Sequence, residues 1–282
     1  MPFCRPLRPS RSARLLASAA LAGVLALTAA GCSMTSKRGG DDVTGSIGSS
    51  SSAPVAPRSE AEWRRSLEVW GDRYKRNPGD VESAINYARA LRATGQRAQA
   101  VAVLEQTSMR SPNSMALSGA YGRALADAGQ YAQALEALGK AHTPDNPDWR
   151  ILNAQGAVLD QMGRHAEAQK HYTAALKIMP DEPSVLSNLA MSYVLMKDLK
   201  SAEDTLRRAV SQPSASPKVR QNLALVVGLQ GRFDEAEKIA AAELPPSEAE
   251  ANVTYLRQML AQQGDWKKKG GKPMVQRPDT GT

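Results

Sequence analysis

Small apolar positions return along the middle of the chain at one fixed interval. Ala100, Ala134, Ala168, Ala202 and Ala236 recur every 34 residues. Gly95, Gly129, Gly163 and Gly231 stand ahead of them at spacings of 34, 34 and 68, and the missing member falls on Lys197 in "LMKDLK". Counted from Val81, Met115, Trp149, Pro183 and Pro217, the eighth place is also small (Ala88, Gly122, Gly156, Ala190, Ala224), and Pro112 and Pro180 stand at the thirty-second. Between these marks the composition favours helix. A glycine at place 15 ends one helix in a left-handed conformation that other residues adopt only at a cost. Proline ends the next. Each unit therefore reads as two antiparallel helices, brought close by the small residues at places 8 and 20. In the third unit Leu152, Leu159, Tyr172 and Ala175 fill the space around them. Lys197 predicts a different or more strained turn in the fourth, and a large residue at Ala168 or Ala202 would overpack the helix pair by roughly 1–3 kcal/mol.

A 34-residue period of helix pairs resembles the tetratricopeptide repeat (TPR). That resemblance implies an all-α fold, a right-handed α-solenoid of about five helix-turn-helix repeats with a capping helix at each end. The repeats run 81–114, 115–148, 149–182, 183–216 and 217–246. Ser66, Trp70 and Pro78 match places 20, 24 and 32 of an earlier repeat, so residues 59–76 read as a lone second helix capping the start. Ser247 and Glu250 have the spacing of a capping box and open a closing helix over 247–263. Twelve helices result. Residues 264–282, "GDWKKKGGKPMVQRPDTGT", are too polar and too rich in Gly and Pro to join them, and read as a disordered basic tail.

Ahead of the repeats the pattern changes. Arg5, Arg8, Arg11 and Arg14 precede the apolar run Leu15–Ala30, shorter than the roughly 20 residues of a membrane-spanning helix, and residues 1–31 read as an export signal. Ala29-Ala30-Gly31-Cys32 resembles a bacterial lipobox, although that motif usually has Leu where this chain has Ala29, its nearest leucine being Leu27. The resemblance implies cleavage before Cys32 and lipidation of its thiol. The other reading is ordinary cleavage after Ala30, which leaves a soluble periplasmic protein. Ser33 is not the Asp that retains such lipoproteins at the inner membrane, so the implied location is the periplasmic face of the outer membrane. Residues 32–58 are rich in Ser, Gly and Pro and form a disordered tether; its stretch from Ser33 to Arg58 spans ~28 Å as a random coil.

The formal net charge of +8 suggests nucleic acid until it is located. Residues 59–263 carry 24 basic and 24 acidic residues, so the folded body is balanced, and a nucleic-acid partner is not expected. The two cysteines, Cys4 and Cys32, precede the body and give it neither a disulfide framework nor a cysteine metal site. Of three histidines, His142 sits at a helix end, while His165 and His171 lie too far around a helix to share a face as metal ligands would at i, i+4. "GGKP" from Gly270 lacks the first glycine and the Ser or Thr of a phosphate loop. No catalytic constellation appears, and no enzyme, metal or cofactor is expected.

In TPR proteins, places 2, 5, 6, 9, 12 and 13 line a concave groove. Here they give a polar and basic first half, Arg89, Arg92 and Arg123 near Glu82 and Asp127. The second half is more apolar, with Met191, Val194, Leu195, Leu225 and Leu229. Gln221 holds place 5 of the fifth repeat. Asn188 and Asn222 hold place 6 of the fourth and fifth, where an amide can bond both a donor and an acceptor of an extended peptide. These positions form a candidate site for protein partners; the plainer alternative is a solvated face with apolar residues packed on neighbouring helices. The residues that clamp chaperone carboxylate termini in some TPR proteins are not expected here: the nearest window, Asn153, Ala157, Asn188, Lys218 and Asn222, misses three of five requirements.

The lipobox, the Ser-rich tether, the incomplete first repeat and the closing segment "VRQNLALVVGLQGRFDEAEKIAAAELPPSEAEANVTYLRQML" together resemble the TPR lipoproteins of the tight-adherence (Flp) pilus assembly system, the TadD family. That resemblance spans roughly residues 15–263. It implies a scaffold or pilotin that engages the outer-membrane secretin or other Tad components. A TPR lipoprotein serving outer-membrane protein insertion or cell-wall synthesis is the alternative.

Overall fold

The computed structural model describes residues 59–268. The export signal, Cys32, the tether and residues 269–282 lie outside the described residues. Twelve helices occupy the described chain: α1 (Glu60–Arg76), α2 (Val81–Ala93), α3 (Arg97–Arg110), α4 (Met115–Asp127), α5 (Tyr131–Gly139), α6 (Trp149–Gln161), α7 (His165–Ile178), α8 (Pro183–Leu195), α9 (Leu199–Val210), α10 (Pro217–Leu229), α11 (Phe233–Ala241) and α12 (Pro246–Lys268). None is long and apolar enough to cross a membrane.

The first helix of every repeat starts at the same phase. Asp80, Ser114, Asp148, Glu182 and Ser216 are its N-caps, and all but Ser216 accept a backbone N–H of the first turn through the side chain. Such a residue satisfies donors the helix start leaves free. The array opens on a complete capping box, in which Ser59 and Glu62 exchange hydrogen bonds at the start of α1.

Gly95, Gly129, Gly163 and Gly231 have φ of +75 to +84°, and Lys197 takes the same turn at +67°. Of the two expectations at Lys197, a different turn or a more strained one, the second holds: the turn is kept in a left-handed non-glycine residue. Lys197 N–H donates to Val194 O at 2.9 Å and Asp198 N–H to Tyr193 O at 2.9 Å, matching the Gly95 and Gln96 bonds to Arg92 and Leu91. The strain stays in the lysine backbone.

Within each repeat the small residue at place 8 sets the approach. A Cβ on Gly156 would stand 2.5 Å from the Tyr172 ring, and one on Gly122 would stand 2.6 Å from Leu138 Cγ. Tyr172, Ala168, Ala202 and Ala236 are 0–1% exposed. The buried apolar residues form successive linked clusters, from Tyr74, Leu91 and Leu104 at one end to Val226, Val227 and Val253 at the other. Each repeat is thus stabilised mainly by its neighbours, as in other solenoids.

Consecutive helices pack in pairs, and a second set of contacts joins α2 to α4, α4 to α6, α6 to α8, α8 to α10 and α10 to α12. The first helices form one continuous inner row, and α12 occupies the position of a sixth first helix. Leu256 of α12 packs on Gly228. Two expectations about this end change. α12 continues to Lys268, beyond the expected stop at 263, because one interior glycine costs only about 1 kcal/mol and no proline intervenes before Pro273. It also starts at Pro246 rather than on a Ser247 cap: Glu248 and Ala249 N–H donate to Pro245 O at 2.9 and 3.0 Å.

Candidate partner-binding face

The inner row carries side chains that bridge one repeat to the next. Arg92 Nε donates to Asp127 Oδ2 at 2.5 Å, Asn188 Nδ2 to Asn153 Oδ1 at 3.0 Å and Asn222 Nδ2 to Ser187 Oγ at 2.9 Å. The last two bonds run from place 6 of one repeat to place 5 of the repeat before it. Asn188 and Asn222 therefore each spend one amide N–H inside the solenoid, where the sequence suggested both ends of the amide for a partner's backbone.

Asp160, at place 12 of the third repeat, accepts from the Tyr172 hydroxyl at 2.9 Å and the Ser192 hydroxyl at 2.8 Å, and His165 Nδ1 lies 2.8 Å from its Oδ1. The carboxylate thus ties α6 to α7 and α8. His165 and Ser192 meet the same carboxylate oxygen, which makes the cluster a brace between repeats. Burial, and then the Asp160 charge, push the Tyr172 phenol well above its usual range. The other two histidines lie elsewhere: His142 and His171 each have an enclosed Nδ1 with no hydrogen-bond partner. Burial, and then the field of His142, push the His171 imidazole down.

Arg123 departs most from a solvated charged face. It is 4% exposed, and its Nη1 is enclosed without a hydrogen-bond partner. Burial first, then the neighbouring Arg92 and Arg89, lower its pKa to about 10; Asp148 and Asp127 pull the other way. It stays protonated at neutral pH. Its guanidinium lies beside Gly119 one turn back on α4, between α4 and Ile151 of α6. Sequence spacing placed Arg123 on the inner face but gave no sign of its burial.

The second half of the row is apolar and partly open. Leu195 is 54% and Leu225 37% exposed, Met191 is half-buried and Gln221 is exposed. Arg89 is half-buried in the first half. The outer helices carry an ion-pair network instead. Glu203 of α9, 9% exposed, accepts from Arg207 of its own helix and from Gln230 and Arg232 ahead of α11. Burial pushes the Glu203 carboxyl up, and the bonds from Arg232, Arg207 and Gln230 outweigh it, leaving the pKa at about 2.

A row of paired helices with a bridged inner face defines a helical-repeat binding scaffold. Two tetratricopeptide-repeat profiles match the chain, over residues 62–148 and 150–212, together just over half of its 282 residues. The chain belongs to the tetratricopeptide-repeat proteins. Among solved structures it is similar to PilW, described as a widely conserved type IV pilus biogenesis factor, at 18% identity and a TM-score of 0.57, over 71% of this chain and 91% of PilW. The structure of the APC/C Cut9–Hcn1 hetero-tetramer matches at 16% identity and a TM-score of 0.59, over 72% of this chain. There the chain spans only 40% of the matched protein's length. Human IFIT1 matches at 16% identity and a TM-score of 0.53, over 63% of this chain and 45% of its own. At these identities the likeness shows the fold alone. No curated protein sequence matches the chain.

Proposed function

We propose that the protein is a non-enzymatic scaffold, anchored by lipid at Cys32 to the periplasmic face of the outer membrane. Its inner face holds protein partners for assembly of the Flp pilus machinery, the secretin first among them. The observation that carries the binding role is the inner row itself: one half holds half-buried Arg89 with Arg92 and Arg123 more deeply enclosed, and the other exposes Leu195 and Leu225. An extended peptide laid along such a row meets charge first and apolar surface next. The export signal, the lipobox and the resemblance to TadD support the location and the pilus assignment. PilW, a pilus factor of similar fold matched over 71% of this chain, is compatible with it.

Fractionation of cells carrying Cys32→Ser tests the assignment. The variant is expected in the soluble periplasmic fraction, with assembled secretin multimers reduced both in it and in a strain deleted for the gene. Unchanged multimers in both strains would overturn the pilotin reading, and recovery of a wall synthase in place of the secretin would redirect it to another envelope machine.

A further inference from the structure

Resting on the inner face as a protein-binding surface, we propose that the partner segment presents an aspartate or glutamate side chain whose carboxylate accepts hydrogen bonds from the Arg123 guanidinium. Among the described residues Arg123 is the one arginine with an enclosed nitrogen that lacks an acceptor, and its guanidinium makes no hydrogen bond to any of them. A guanidinium carries five donors in a rigid plane, and an uncompensated buried cation is among the costliest arrangements in a fold.

The acids nearby are already engaged. Asp127 accepts from Arg92 at 2.5 Å. Asp148 accepts from the Arg150 N–H at 2.7 Å as the N-cap of α6. Arg89 and Arg92 add charge of the same sign around Arg123. The missing component is therefore an anion, and the surroundings select its shape. Gly119 lies beside the guanidinium: a Cβ there would be 3.5 Å from Nη2, an ordinary contact, and 2.9 Å from Ile151 Cδ1, which is too close. Only 4% of the residue's surface is open and Nη1 is enclosed, so binding requires the side chains over the guanidinium to shift, and a small planar carboxylate, able to form paired bonds with the fork, needs a smaller opening than a tetrahedral phosphate does. The position of Arg123 at place 9 of α4 puts this contact in the basic half, so the acidic residue of the partner precedes or follows an apolar stretch that reaches Leu195 and Leu225.

The test uses the full-length protein in detergent and an array of fluorescent decapeptides, acetylated and amidated so that every carboxylate is a side chain. One Asp or Glu is stepped through a Ser, Ala and Leu background, and each peptide has an Asn or Gln twin and a phosphoserine twin. Fluorescence anisotropy is expected to find acidic peptides that bind about tenfold or more tightly than their amide twins. Arg123→Gln should lose that preference, Arg123→Lys should keep part of it, and Arg97→Gln, which removes an equal charge from the exposed start of α3, should leave it intact. Far-UV circular dichroism confirms that each variant is folded. Equal binding of acidic and amide peptides, an Arg123→Gln variant that binds as the wild type does, or preference for phosphoserine would each overturn the inference. Those results leave the protein-binding face standing if peptides still bind. Absence of binding by every peptide, together with no groove crosslinks in cells, removes both.

Discussion

Replacing Arg123 with Met separates the cost of its charge from the value of its contact. The substitution keeps a long stem between α4 and Ile151 and removes a cation that, in the partner-free protein, has an enclosed nitrogen with no acceptor. The fall of its pKa from the ordinary arginine value to about 10, at 1.36 kcal/mol per unit, corresponds to destabilisation on the order of 3 kcal/mol. Packing contacts of the lost guanidinium offset part of this, leaving an expected gain of about 1–2 kcal/mol, within the range for replacing buried ions by apolar residues. For a body of about 200 residues that is a rise in Tm of roughly 3–6 °C. The pH dependence has a definite sign. Between the folded pKa of about 10 and the unfolded value the unfolded chain binds more protons, so wild-type stability rises with pH, and the advantage of Arg123→Met should shrink across that interval. Urea and thermal unfolding followed by far-UV circular dichroism measure both effects. A loss of 1 kcal/mol or more in Arg123→Met at neutral pH would refute the reasoning, because it would mean that the guanidinium has its acceptor within the folded chain.

Lys197→Gly should stabilise the fourth repeat by about 0.5–1 kcal/mol, read as a higher urea midpoint, because relief of the left-handed backbone at φ +67° exceeds the added chain entropy of glycine. Gly156→Ala should destabilise by about 1–3 kcal/mol: its Cβ meets three Tyr172 ring atoms at 2.5–2.8 Å, and the ring is held by its bond to Asp160 at 2.9 Å. Glu203→Gln should cost about 1–2 kcal/mol at neutral pH, a value discounted for solvent screening near the surface. The Glu203 pKa is lowered from 4.5 to about 2, so its contribution is present above 4.5 and fades as pH falls to 2; urea melts of both proteins should converge there.

Turn glycines and small packing positions were legible because each is fixed by local geometry and repeats at one period. The same logic could have found the N-caps, since Asp80, Ser114, Asp148, Glu182 and Ser216 share that period. Lys197 shows the period outweighing a local preference: packing of α8 and α9 holds the turn in a residue that resists it. The contacts across repeats were not legible. Whether Asn188 faces a partner or Asn153 depends on how close α6 and α8 come, and an inner-row position does not encode that distance. Asp160 gathers Tyr172 and His165 from α7 and Ser192 from α8, contacts that its own neighbourhood does not announce. Arg123 stands on the expected face but is buried, because a place in the repeat does not encode how closely the neighbouring helices approach it.

Photo-crosslinking in intact cells tests the binding face most directly. A photoreactive residue at Met191 or Gln221 on the inner row, or at Gln99 or Lys170 on the exposed side of the second helices, is irradiated, and the adducts are identified by mass spectrometry. Adducts from the inner positions only, containing a segment of the secretin, are the expected result. Adducts from Gln99 and Lys170 with none from Met191 or Gln221 would contradict it and move the partner to the outer face.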